Sequence, residues 1–184
     1  MLNKYDKINE IFSLLNNKGD GLYGLSNVTQ KQHALQCALL AEAENEKSEM
    51  IVAALLHDIG HMLHDLGEDF ADNEVDDYHE NIGMLYLKGR VSERVFEPIA
   101  LHVDAKRYLC ALDTKYFQIL SEDSRKSLEL QGGIMNYEQR KEFEKNTYWR
   151  EALRLRRYDD MSKNPEAITP EPEYFFKHLD SCFH

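Results

Sequence analysis

Residues 50–61 read MIVAALLHDIGH. The stretch is apolar on nearly every side, which suits a helix running through a core rather than along a surface. Into this Ala-Leu-Ile run the chain sets His57, Asp58 and His61. A charged Asp in a core costs several kcal/mol unless it is paired or binds a metal. His57 and His61 are four apart and share a helix face. Asp58 is rotated from them by about 100°, yet its reach lets it enter the same site. One buried His is most often a hydrogen-bonded core residue. A His-Asp pair in such a run reads instead as a chemical site.

Working outward, Ser48 reads as the N-cap of this helix, with Glu49 favourable in its first turn. Upstream, Thr29 and Gln32 form a capping box, which places His33 about one turn into another helix. A first helix covers residues near 4–17 and ends at the loop NNKGDG. Downstream, DLGEDFADNEVDDYHE reads as an acidic loop leading into a helix near 77–88. The spacing predicts a further helix over roughly 92–103, containing EPIALHV, and a long one near 147–161, containing YWREALRLRRYDD. Asp113, Ser121 and Asn136 read as N-caps between them. Pro98 stands alone before residue 165, and no segment alternates as a strand would. The fold class is therefore all-α, a helical bundle. Three of the four prolines lie in the extended NPEAITPEP, and EYFFKHL after it should dock back. The expected organisation is one domain over 1–184, with 164–184 as its tail.

Bulk properties narrow the function. The 184 residues suit one domain with a real core, and 42% are apolar. The net charge of −11 disfavours nucleic-acid and anionic-membrane partners. It leaves room for a small anion in a pocket lined by a few Lys and Arg. Cys37, Cys110 and Cys182 are far apart and form no CxxC, so a disulfide framework or thiolate zinc site is not expected. A cytoplasmic setting fits. The start, MLNKYDKINEIFSLL, reads as an amphipathic helix rather than a signal peptide. No apolar run approaches the roughly 18 to 20 residues needed to span a bilayer.

His102, in PIALHV, is another His inside an apolar helical stretch. His79 follows the acidic loop and reads by itself as a surface histidine, as does His64. His178 and His184, in the tail, have no assigned role. Imidazole and carboxylate without thiolate suit iron, manganese, zinc or another borderline metal. One Asp can bridge two ions, so four His and two Asp suffice for a dinuclear site with open positions.

The order His33, His57-Asp58, His79, His102, Asp159 resembles the HD-domain superfamily, and His79 with His102 resembles its two-metal subset. The resemblance sharpens over VTQKQHALQCA, AALLHDIGH, DDYHENIG, EPIALHVDAKRYLCALD, YFQILSEDSRKSLELQGG and WREALRLRRYDDMSK. These stretches resemble the HD-domain mixed-valent diiron oxygenases of organophosphonate catabolism, which are related to inositol oxygenase. The match runs from about residue 23 to 163. It implies an HD-domain helical bundle holding an Fe(II)/Fe(III) pair, with O₂ as co-substrate. It implies cleavage of the carbon–phosphorus bond of a small 1-hydroxyphosphonate to phosphate and a carboxylic acid. His33, His57, Asp58 and Asp159 would bind one iron, and Asp58 would bridge to a second held by His79 and His102. Substrate would chelate one iron through its 1-hydroxyl and a phosphonate oxygen.

The residues are consistent with an anion beside the metals. Lys106 lies four after His102, so both face one pocket if the helix continues. Arg156 lies three before Asp159, although in so charged a helix it reads equally as a surface salt bridge. Ser124 and Gln131 offer hydrogen bonds. Lys106 and Arg107 compete for the inward role, and the resemblance selects Lys106. His61 resembles a histidine that contacts substrate, and Tyr23 a tyrosine that holds the open iron position before substrate arrives. By itself Tyr23 would be a loop aromatic. At Ser26 the family pattern has Glu, which helps recognise a substrate amine. Ser26 points to a different 2-substituent, methylated nitrogen or no amine. The competing readings are a metal-dependent HD phosphohydrolase acting on a nucleotide or other phosphate ester, and a non-catalytic metal-stabilised module.

Overall fold

Local chemistry sets the helix starts in the computed structural model, which describes residues 2–23, 27–63 and 76–184. Asn3 caps α1 (Lys4–Lys18) and Thr29 caps α2 (Gln30–Ala43), each through a reciprocal box with Asp6 or Gln32. Next, α3 (Ser48–Leu56) has Lys47, not Ser48, at its N-cap. The Ser48 hydroxyl is instead 2.9 Å from His178 Nδ1, whose other nitrogen is 3.1 Å from Glu42. That contact ties the tail to the core helix and explains why Ser48 makes no cap.

A larger departure follows. The α-helix stops at Leu56, and Ile59–Met62 form a short 3-10 helix. Asp58 sits between them at φ −101°, ψ 12°, in the sparsely used bridge region. His57 and His61 therefore do not share one continuous α-helical face. The break has a packing cause. A Cβ on Gly60 would stand 2.0 Å from the backbone oxygen of His79, so only glycine admits this approach.

The second half begins with α4 (His79–Leu87), then α5 (Glu93–Leu112), which passes Pro98 and runs well beyond residue 103. The spacing alone had predicted a stop there, where the apolar pattern gives way to DAKR. Then come α6 (Thr114–Ile119), α7 (Glu122–Leu130), α8 (Tyr137–Phe143) and α9 (Trp149–Met161). Asp113, Ser121 and Asn136 cap α6, α7 and α8, as their sequence positions indicate.

The core gathers around α3, where every residue from Met50 to Leu56 is buried. Ile8, Ile11 and Leu15 of α1, Leu35 and Ala38 of α2, Ile99 of α5 and Leu155 of α9 belong to the same cluster. Each such buried Leu or Ile contributes about 1.5–3 kcal/mol. Helices α5 and α9 pack along one another, and α2 packs on both α3 and α9. The last segment forms a 3-10 turn (Pro172–Phe175) and α10 (Phe176–Cys182), which packs on α3 and α1 through Phe175 and Leu179. Among the described residues there are only isolated bridges and no sheet. The three cysteines are free. No described helix is long and apolar enough to cross a membrane.

Candidate metal centre

Four helices and the break after α3 bring the sequence-selected ligands together. His33 comes from α2, His57 and Asp58 from the end of α3, His79 from α4, His102 from α5 and Asp159 from α9. All six are buried. In three histidines Nδ1 faces a backbone carbonyl: His33 to Ser162 at 2.8 Å, His57 to Ala54 at 2.9 Å, His102 to Ile99 at 2.7 Å. A carbonyl only accepts, so each Nδ1 carries the proton and donates it. In the neutral ring Nε2 is then a bare lone pair. His79 Nδ1 is held likewise, 2.8 Å from Asp77 Oδ1.

The Nε2 atoms converge in two pairs. His33 and His57 meet at 3.2 Å, and His79 and His102 meet at 3.2 Å. Asp58 lies between the pairs. Its Oδ2 is 3.5 Å from His33 and 3.2 Å from His57, and its Oδ1 is 3.5 Å from both His79 and His102. Oδ2 is fully buried and makes no hydrogen bond. Asp159 Oδ1 adds to the first pair, 3.4 Å from His33 Nε2. Facing ring nitrogens and an orphaned carboxylate oxygen in a dry core need a proton or another cation between them. They are a donor set that metal cations satisfy, so these residues could hold metal.

The electrostatics agree. Burial works against the charge on His57, yet Asp58 and then Asp159 raise its pKa to about 9. Burial would raise the Asp58 and Asp159 carboxyls, but His57 beside the first and Arg156 beside the second hold both well below the usual range. Burial, with the His61 charge, lowers His79 to about 4.

Asp77 was not singled out by the sequence reading. It is buried, and one oxygen meets His61 Nδ1 at 2.6 Å while the other holds His79. The His61 and His79 rings stack at 4.0 Å. Tyr78, with φ 51°, makes the left-handed turn that sends Asp77 inward and starts α4. The signal was the DDYHE run, where an acid two residues before a candidate ligand suits an orienting carboxylate. Cys37, one turn after His33, is also beside the first pair, 3.7 Å from His33 Nε2.

A second cluster lies against the Asp159 side. Arg156 is buried, not a surface residue. It meets Asp159 at 2.7 Å, also pairs with Asp160, and reaches Tyr116 at 3.2 Å and Ser124 at 3.3 Å. Because α5 continues, Lys106 turns inward one turn beyond His102 and donates to Ser127 at 2.7 Å and Gln131 at 2.6 Å. Burial, reinforced by Arg156, lowers its pKa to about 7. Arg107 faces elsewhere, bonded to Asp104 and the Gly133 carbonyl. The Tyr23 hydroxyl is 3.1 Å from Asp159 Oδ1, and its ring stacks on His33 at 3.9 Å. Ser26 and His64 lie outside the described residues.

A buried His/Asp constellation on five helical segments is what defines an HD domain, and the HD domain family model matches residues 31–129. The chain belongs to this family. It is similar to a hydroxymethylphosphonate dioxygenase of Gimesia maris, 40% identical over 178 residues, covering 96% of this chain and 88% of the relative. It is also similar to a glycine-betaine-forming 1-hydroxy-2-(trimethylamino)ethylphosphonate dioxygenase of Leisingera caerulea, 38% identical, covering 95% and 89%. An uncharacterised protein of Acanthamoeba polyphaga mimivirus is 35% identical over 158 residues, covering 85% and 72%.

Proposed function

We propose that this protein is an O₂-dependent dioxygenase that cleaves the carbon–phosphorus bond of a small 1-hydroxyphosphonate at a mixed-valent Fe(II)/Fe(III) centre. The observation that carries it is the juxtaposition of the paired Nε2 atoms around Asp58 with the buried cations Lys106 and Arg156. The reaction balances as R–CH(OH)–PO₃²⁻ plus O₂ giving R–COOH plus HPO₄²⁻. The product acid would be formic acid for hydroxymethylphosphonate and glycine for the 2-amino substrate. Bound iron supplies the electrons that activate O₂ and the Lewis acidity that gathers the hydroxyl and phosphonate oxygens.

The protein supplies the rest. Among the described residues Lys106 bonds only Ser127 and Gln131, both neutral, so its amine would be free to turn to a phosphonate, whose charge would keep it protonated. Arg156 holds Asp159 on one side and presents Ser124 on the other. His61, oriented by Asp77, is placed to meet substrate beside His79. Tyr23, bonded to Asp159, would give way when substrate arrives. Burial of the six ligands, Lys106 and Arg156 would limit water at the centre. Ser26 lacks the charge to hold an ammonium, and neither named relative's substrate carries a primary amine. The favoured substrates are therefore hydroxymethylphosphonate or a methylated-nitrogen analogue.

The test is phosphate release by iron-loaded protein in air on hydroxymethylphosphonate, the trimethylammonium compound and the free amine, beside a phosphate monoester. Release from one of the first two supports the reading. Hydrolysis of the ester alone would make the protein an HD phosphohydrolase instead.

A further inference from the structure

Lys163 lies four residues beyond Asp159, just after α9, and takes no part in the ligand set. Its ammonium is 3.3 Å from Ser124 Oγ and 3.4 Å from Ser121 Oγ. It stands 3.9 Å from Asp159 Oδ1 and 5.3 Å from the centre of the Tyr23 ring. The side chain is 17% exposed, so it looks into the site with little water around it. Ser124 thus has two cations on one oxygen, Arg156 and Lys163.

Charge counting makes this informative. Arg156 is already matched by Asp159 and Asp160 at ion-pair distance. Lys106 has a hydroxyl and an amide as partners and no carboxylate at ion-pair distance among the described residues. Among the described residues Lys163 pairs with Asp159 alone, at the outer limit of an ion pair, and Asp159 is shared with Arg156. In a chain of net charge −11, two cations are held at one pocket without full compensation. A phosphonate near neutral pH carries up to two negative charges, which matches them.

We propose that Lys163 is a substrate-binding residue, the second cation that neutralises the phosphonate opposite Lys106. On binding, its ammonium leaves the Tyr23 face and Asp159 for the phosphonate oxygens, with Ser121 and Ser124 as its guides. Substrate arrival is thereby linked to loss of a contact that keeps Tyr23 against Asp159. The inference rests on the phosphonate reading above and adds a residue to it.

The test uses methylphosphonate, which lacks the 1-hydroxyl and serves as a binding probe. Its Kd would be measured calorimetrically on anaerobic iron-loaded wild type, Lys163→Ala, Lys163→Met and Lys163→Arg, with iron counted in each. Met keeps the stem against Tyr23 and removes only the charge. The expected result is a Kd raised about tenfold to a hundredfold in Ala and Met, the scale of a lost charge-assisted hydrogen bond. Arg should restore most of it, and in turnover KM should rise more than kcat falls. An unchanged Kd in either iron-replete neutral variant would overturn the role of Lys163 while leaving the proposed activity standing. Wild type that ignores methylphosphonate would overturn both.

Discussion

At the scale of single residues, Asp58 is the member on which the centre turns, because its two oxygens face different histidine pairs. Asp58→Ala should abolish retention of both ions together with turnover, and metal analysis on the purified variant checks this. A variant still holding two irons would refute the bridging role. Asp77→Asn should be milder. Asp77 orients His79 and His61 at once, so an amide in its place should cost roughly tenfold to a hundredfold in activity or metal affinity, seen in iron titration and steady-state rates. The residue chemistry also sets a pH dependence. In the metal-free fold His57 is raised from 6.5 to about 9. Its protonation therefore adds stability that is complete below 6.5 and is lost as pH climbs through about 9. A metal on Nε2 replaces that proton. Iron retention should strengthen between pH 6.5 and 9 while metal-free stability falls over the same window, as chelator competition and melting curves would show. The HD pair and His102 were legible as polar residues in apolar helical runs, whereas His33 and Asp159 entered through the family likeness. Asp77 and Lys163 were not singled out, because each lies in a run of charged residues where nothing local sets it apart from its neighbours.

Elements explain why those residues meet. Capping chemistry was readable at Thr29, Asp113, Ser121 and Asn136, since a cap is a local interaction between neighbours in sequence. The end of α3 was not readable, because its cause lies 19 residues away in the His79 backbone, the nearest contact of a Gly60 Cβ. Likewise α5 outlasts its apolar pattern because its last turns carry Lys106 into a polar pocket and Tyr108 against Phe143 and Trp149. Gly60→Ala should accordingly push α4 away from the 3-10 turn. A lowered Tm with selective loss of the ion that His79 and His102 would hold is the expected outcome. An unperturbed Tm with full iron would show that the approach of the two backbones is not needed.

For the whole molecule, the bundle buries Lys106, Arg156 and the His/Asp cluster within a chain of net charge −11. The all-helical class followed from composition and spacing, whereas the convergence of five segments on Asp58 is a tertiary fact that only the family likeness anticipated. Ions bound to the folded state alone stabilise it by mass action, so stripping iron should lower Tm and reloading should restore it. The proposed activity is the use of O₂ to break a carbon–phosphorus bond. The direct test follows O₂ uptake and phosphate release together, on iron-loaded protein given hydroxymethylphosphonate, in air and under argon. The account predicts equal molar amounts of O₂ consumed and phosphate released in air, and neither under argon. Phosphate released under argon, or O₂ consumed without phosphate, would contradict it.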